Sequence, residues 1–128
     1  MKLTELKARK EVLADHMKDP VFRERWEKTA LARAVALRLV SYRAEHGLSQ
    51  TALARLLQMK QPAVARLEAG EKNPSWETLS RLSDALGVEF LIDIAPKGRR
   101  VLVGKRACRA EVVEELTTER HQLLVAVQ

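Results

Sequence analysis

The chain has 128 residues, a net charge of +6, and 46% hydrophobic but only 4% aromatic residues, so its core is built mainly of Leu, Val and Ala. That length holds one ordinary domain, or a small domain with arms. The single cysteine, Cys108, excludes an intramolecular disulfide, and no run reaches the ~18 consecutive apolar residues of a membrane-spanning helix.

The N-terminus, MKLTELKARKEV, lacks the apolar stretch of a secretory leader, so a cytoplasmic location away from membranes is expected. The positive excess lies in residues 1–46 and 96–128, while residues 47–95 are close to neutral. A basic chain suits a polyanion partner through counterion release. A solvated basic surface explains the charge equally well, so the functional argument rests on placement.

In chain order, TELKARKEVLADHMK (residues 4–18) reads as a short helix capped by Thr4, with Leu3, Leu6, Leu13 and Met17 roughly on one side. Asp19-Pro20 starts a new helix, with Asp as N-cap and Pro in the first turn, where its missing N–H costs nothing. From Val21 to His46 there is no breaker. This stretch is one long helix, or a short helix running into a second near Thr29. Gly47 ends it in a left-handed cap.

Ser49 caps the next helix, which ends near Gln58-Met59. Another begins at Lys60-Gln61, carries Pro62 in its first turn and closes at Gly70. EKNP is a loop. Ser75 caps WETLSRLSDAL, which Gly87 ends. Leu53, Leu56, Val64, Leu67, Leu79, Leu82 and Leu86 recur at helical spacing and are assigned to the core. Trp76 is expected to cover the end of this bundle.

After Gly87 the period changes to two. In VEFLIDIAP, Val88, Phe90, Ile92 and Ile94 share one face of a predicted strand. RVLVG is expected as a second strand, AEVVEELTTE as a short helix and HQLLVAV as a last strand. The chain thus divides into an N-terminal helical arm (1–28), a helical domain (29–87) and a C-terminal extension (88–128).

Two short helices joined by a tight turn and flanked by helices can hold the second against the DNA major groove, with its first residues on base edges. Those residues are Lys60, Gln61, Pro62 and Ala63, with Arg66 one turn on. An amide side chain pairs with adenine, and Arg or Lys with guanine. Ser49 and Gln50, at the start of the preceding helix, can meet a phosphate, as can Lys72 and Asn73 in the following loop.

The stretch LSQTALARLLQMKQPAVARLEAGEKNPSWETLSRLSDALGV resembles the helix-turn-helix of the XRE class, the Cro/repressor-like family. Leu48, Ser49, Gln50, Leu53, Ala54, Val64, Leu67, Glu68, Gly70, Pro74, Leu79, Leu82, Ala85, Leu86 and Gly87 carry the likeness, over about a third of the chain. The resemblance implies a mainly α, lambda-repressor-like bundle with a small β-containing extension. It also implies DNA contacts at Gln50, Gln61, Pro62 and Arg66. Two positions depart from the pattern: Gln58 stands where Gly is usual at the turn, and Pro62 replaces a frequently polar residue. Readout at Pro62 is then by apolar contact, for example with a thymine methyl.

The flank DPVFRERWEKTALARAVALRLVSYRAEHGLSQ and the strand VEFLIDIAP are similar to those of HigA-type antitoxins. That likeness implies a partner toxin, a ribonuclease of the HigB/RelE type, and autorepression of an operon as a homodimer. Leu3, Leu6, Leu13, Met17, Phe22 and Trp26 form the candidate toxin-binding arm; packing against the chain's own domain is the competing reading. Val88, Phe90, Ile92 and Ile94 are the candidate dimer contacts, placing two recognition helices ~34 Å apart.

Two alternatives stay open: a regulator of this class without a toxin, and an interaction module that has lost DNA readout. An enzyme is not expected. His16, His46 and His121 lie on separate elements, none has a second ligand at metal-binding spacing, and no phosphate-cradling glycine loop or nucleophile elbow is present. No cofactor is implied. Cys108 sits among Lys105, Arg106 and Arg109, which favour its thiolate; an unremarkable thiol is the simpler reading.

Overall fold

The computed structural model describes residues 3–97, 111–118 and 120–127. Within them the chain forms, in order, α1 (Leu3–His16), α2 (Pro20–Lys28), α3 (Ala30–His46), α4 (Gln50–Leu57), α5 (Gln61–Ala69), α6 (Trp76–Leu86), β1 (Phe90–Pro96), β2 (Glu111–Thr117) and β3 (His121–Val127). This is the expected mainly helical bundle, with a helical arm before it and a small sheet after it.

α3 is the pillar of the fold. Its sequence, ALARAVALRLVSYRAEH, is apolar on more than one side, as a helix covered on several faces must be. It packs against α5 on one side and against β2 and β3 on another. Ala30, Ala32, Ala34 and Ala36 are all buried, and their small side chains let neighbouring backbones come close. Val35 and Leu39 join Leu53, Ala54, Leu57, Val64 and Leu82 in one cluster, with Leu67, Leu79 and Leu86 packed at its rim.

Leu56, assigned to the core from its spacing, is instead 49% exposed. The inner stripe of α4 runs through Leu53, Ala54 and Leu57, and a helix of eight residues has room for only that stripe. Trp76 is not the cover expected for the bundle end either. It is 81% exposed at the first position of α6.

Local chemistry sets the helix ends. Asp19 accepts from the Val21 N–H at 2.9 Å, Ser49 Oγ from Ala52 N at 3.1 Å, and Ser75 Oγ from Thr78 N at 3.2 Å. Gly47, Gly70 and Gly87 close α3, α5 and α6 in the left-handed region, as read from the sequence. Thr4 lies inside α1 rather than at its cap. The stretch 21–46 is two helices. Thr29 breaks it at φ −108° and ψ 18°, and its hydroxyl donates back to the Arg25 carbonyl at 2.8 Å.

The sheet has the order β1-β3-β2, antiparallel throughout. β1 pairs with β3 from Phe90↔Val127 to Pro96↔His121. β2 was expected to be a helix and is a strand. The alternation of half-buried Glu114 and Leu116 with exposed Glu115 and Thr117 matches a pleated surface, and pairing with β3 overrides the helix-forming glutamates. A bulge between Val112 and Glu114 shifts the register. HQLLVAV is the central strand, with Val125 and Ala126 fully buried. The expected strand RVLVG, most of the basic run 97–109 and Cys108 lie outside the described residues.

One side chain ties the arm, the pillar and the sheet together. The Arg33 guanidinium lies 3.6 Å from the centre of the Trp26 ring and donates to the Trp26 carbonyl and to Thr29 Oγ1. Its other nitrogen donates to Glu114 Oε1 at 2.7 Å. Both side chains of this ion pair are mostly buried.

Candidate nucleic-acid interface

α4 and α5 form a helix-turn-helix, and the turn between them is unusual in its chemistry. Gln58 stands at φ 54° and ψ 42°, the one non-glycine residue among those described with positive φ. Its N–H is donated to the carbonyls of Ala54 and Arg55, so the left-handed cap is made without glycine. Met59 N then donates to Ala54 O at 2.9 Å. Three residues separate the two helices, and α5 starts at Gln61.

The first turn of α5 faces outward. Lys60, Gln61 and Pro62 are exposed, Ala63 is half-buried and Val64 anchors the helix in the core. Arg66 is exposed one turn on, its Nε donating to the Pro62 carbonyl at 3.3 Å. Lys60 stands at the N-cap and makes no side-chain capping bond, which a donor-only ammonium cannot accept. At this helix start Pro62 has no N–H and Ala63 N donates to the Lys60 carbonyl at 2.9 Å, so the first turn offers side chains rather than a row of free backbone donors.

Behind this turn runs a chain of side-chain hydrogen bonds. Gln61 Nε2 donates to Gln50 Oε1 at 2.9 Å. Gln50 Nε2 in turn donates to Glu68 Oε2. Arg43 grips Glu68 from the other side, with Nε donating to Oε1 and a terminal nitrogen to Oε2 at 3.0 Å. Arg43 also donates to the Leu48 carbonyl at 3.3 Å, just before α4. The Glu68 side chain is only 6% exposed, so its charge needs the partners it has. Neither Arg43 nor Glu68 was assigned a role from the sequence. The signal was present: Glu68 lies four residues after buried Val64, and Arg43 four after buried Leu39, so both fall on inward faces.

The expected phosphate contacts divide. Lys72 is exposed and lines, with Arg66, a groove between α5 and the start of α6. Ser49 is exposed, but its hydroxyl caps α4. Asn73 corrects the expectation. Its Oδ1 accepts from Ala32 N at 3.0 Å and its Nδ2 donates to the Lys28 carbonyl at 2.6 Å, so its amide staples the loop to the start of α3.

In the arm, Leu13, Met17, Phe22 and Trp26 are half-buried. Phe22 stacks on Trp26 with ring centres 6.0 Å apart, and His16 lies 5.0 Å from Phe22. One face of Trp26 is covered by the Arg33 guanidinium of α3. The side chains of Leu3 and Leu6 lie outside the described residues. In the strand, Val88 is buried in its own domain and Phe90 is half-buried. Ile92 and Ile94 are exposed on β1, an edge strand of the described sheet.

Among the described residues no group of three or more His, Cys, Asp or Glu is placed to hold a metal, and no helix is long and apolar enough to cross a membrane. Residues 39–92 match the helix-turn-helix family model. Over 64 residues the chain is 39% identical to an uncharacterized HTH-type transcriptional regulator of Haemophilus influenzae, a match covering 50% of this chain and 65% of that protein, just under two thirds. No solved structure matches the chain.

Proposed function

We propose that this helix-turn-helix protein is a transcriptional regulator of the XRE class that binds operator DNA through the first turn of α5. The observation that carries the reading is the outward-facing set Lys60, Gln61, Pro62 and Arg66, with Gln61 already held by Gln50. A side chain fixed before binding loses less entropy when it meets a base edge. Ala63 completes the base-facing turn. Gln50, Ser49 and Lys72 supply backbone contacts, the serine through its helix start rather than its hydroxyl. The relative's name, a transcriptional regulator, agrees with this reading.

The finer proposal is that the chain is the antitoxin of a pair with a HigB/RelE-type ribonuclease and represses its own operon as a homodimer. The similarity of the flanks to HigA-type antitoxins supports it, as does the arm. None of the described α1 side chains is buried, and Val12 and Val21 are exposed apolar residues beside half-buried Leu13 and Met17. Ile92 and Ile94, with Phe90 beside them, are the proposed dimer contact, because an exposed apolar edge strand invites a two-fold mate.

Two measurements test this. The full chain should bind DNA upstream of its own gene selectively over random duplex. It should also co-purify with a small basic ribonuclease-like protein encoded beside it. Selective binding without such a partner would leave a regulator of this class and remove the antitoxin role.

A further inference from the structure

We infer that the last turn of α2 belongs to the DNA-binding surface: Arg25 and Lys28 contact the phosphate backbone beside Lys72, in a place fixed by the Asn73 amide. The inference rests on the proposal that α5 meets DNA with its first turn.

The charge balance raises the question. Residues 47–95, which hold α4, α5 and α6, carry five Lys/Arg against six Asp/Glu. Lys60 and Arg66 stand at the base-facing turn, and Arg81 lines a groove between α4 and α6. Of the five, only Lys72 is assigned to phosphate. Affinity for a duplex comes largely from cations that displace its counterions. A helix-turn-helix without net positive charge leaves that role to other segments, and residues 1–46 carry eleven Lys/Arg against seven Asp/Glu.

Asn73 joins one such segment to the interface. It follows Lys72 in the loop after α5. Its Nδ2 donates to the Lys28 carbonyl at 2.6 Å, and its Oδ1 accepts from Ala32 N at 3.0 Å. One amide thus holds the end of α2 and the start of α3 against the loop that carries Lys72. Arg25 and Lys28 both lie in that last turn, exposed, and share one face of α2 with Val21. Arg23, Glu24 and Glu27 instead line the cleft between α2 and the sheet, with Lys97, Arg120 and His121. Lys28 Nζ donates to Glu24 Oε1 at 2.8 Å, and both side chains are well exposed. A pair of this kind is weak, so a phosphate can take Lys28 over.

Cations in a last turn also suit the helix dipole, and that role alone would leave DNA binding untouched. The salt dependence of binding separates the two. The test is a salt titration of the full chain, read by fluorescence anisotropy on random duplex and on a duplex that the chain enriches from a random pool. Arg25→Ala and Lys28→Ala should each weaken binding to both duplexes about fivefold to tenfold at about 0.1 M salt. Each should lower the slope of log affinity against log salt by about one and keep the base preferences. Arg23→Ala removes the same charge from the cleft side of the same helix and should keep the wild-type slope. Asn73→Ala frees the end of α2, and in that background neither Arg25→Ala nor Lys28→Ala should change the slope further. The single variants decide the matter should Asn73→Ala not fold.

A folded Arg25→Ala or Lys28→Ala chain with the wild-type slope overturns the inference alone. So does an equal fall in slope for Arg23→Ala, which would mark an effect of net charge. Full effects of Arg25→Ala and Lys28→Ala in the Asn73→Ala background overturn the placement by Asn73. A wild-type protein that enriches no duplex overturns the DNA-binding proposal itself, and the inference with it.

Discussion

Gln61 Nε2 donates to Gln50 Oε1 at 2.9 Å, so the first residue of α5 is held by the first residue of α4. The contact joins the two helices at their first residues, neither of which belongs to the apolar core cluster. Its energetic weight in stability is small for an exposed amide pair. Its consequence is geometric: Gln61 and its neighbours form a prepared surface rather than a set of free rotors.

Removing base-facing side chains should weaken selective binding without unfolding the domain. Gln61→Ala and Arg66→Ala should each cost ~1–3 kcal/mol on the preferred duplex and much less on random duplex. Fluorescence anisotropy on both duplexes reads the difference. Equal losses on both would mean that these residues act as general contacts and carry no readout.

Lys72 should behave differently, because a phosphate contact carries no sequence information. Lys72→Ala should weaken binding uniformly across sequences and lower the slope of log affinity against log salt by about one. A salt titration of wild type and variant checks this. An unchanged slope would remove Lys72 from the interface.

The turn offers a test on stability alone. Gln58 holds a left-handed conformation that costs a residue with a Cβ roughly 1 kcal/mol. Its side chain is exposed and makes none of the side-chain hydrogen bonds described above. Gln58→Gly should therefore raise stability by about 0.5–1 kcal/mol in urea unfolding, despite the greater freedom of an unfolded glycine. A loss of stability would show that the glutamine side chain makes contacts that outweigh the backbone strain.

The Arg33–Glu114 pair should matter more than a surface bridge. Both side chains are mostly buried, and Arg33 Nε has no partner among the described groups, so the pair has little slack. Arg33→Met leaves Glu114 buried without a cation and should cost on the order of 3 kcal/mol. Thermal unfolding of the full chain reads the loss. A change below about 0.5 kcal/mol would mean that water reaches Glu114 freely and that the sheet does not depend on this link.

Much of the helical domain could be read from the chain because its signals are local. Serine caps, a proline in a first turn and glycines after the last periodic residue each act within a few residues, and Ser49, Ser75, Pro62, Gly47, Gly70 and Gly87 all sit where that chemistry puts them. Distant partners decide the rest. Glu111–Thr117 carries glutamates that favour a helix, and only pairing with His121–Val127 makes it a strand. Asn73 looked like a loop residue free to meet phosphate, yet its partners lie on Ala32 and Lys28. Leu56 matched the helical period, but a narrow contact left it outside the stripe. The Arg43–Glu68–Gln50 chain joins α3, α5 and α4, and its trace in the sequence is two charges on inward helix faces.

The central claim is that α5 meets DNA with its first turn, and an amide chemical-shift titration of the full chain with its selected duplex tests it most directly. The account predicts that the largest shifts fall at Gln50, Gln61, Ala63 and Arg66, with smaller ones at Lys72. Selective binding that leaves the amides of residues 60–66 unmoved, with shifts gathered on the arm or the sheet, would contradict it.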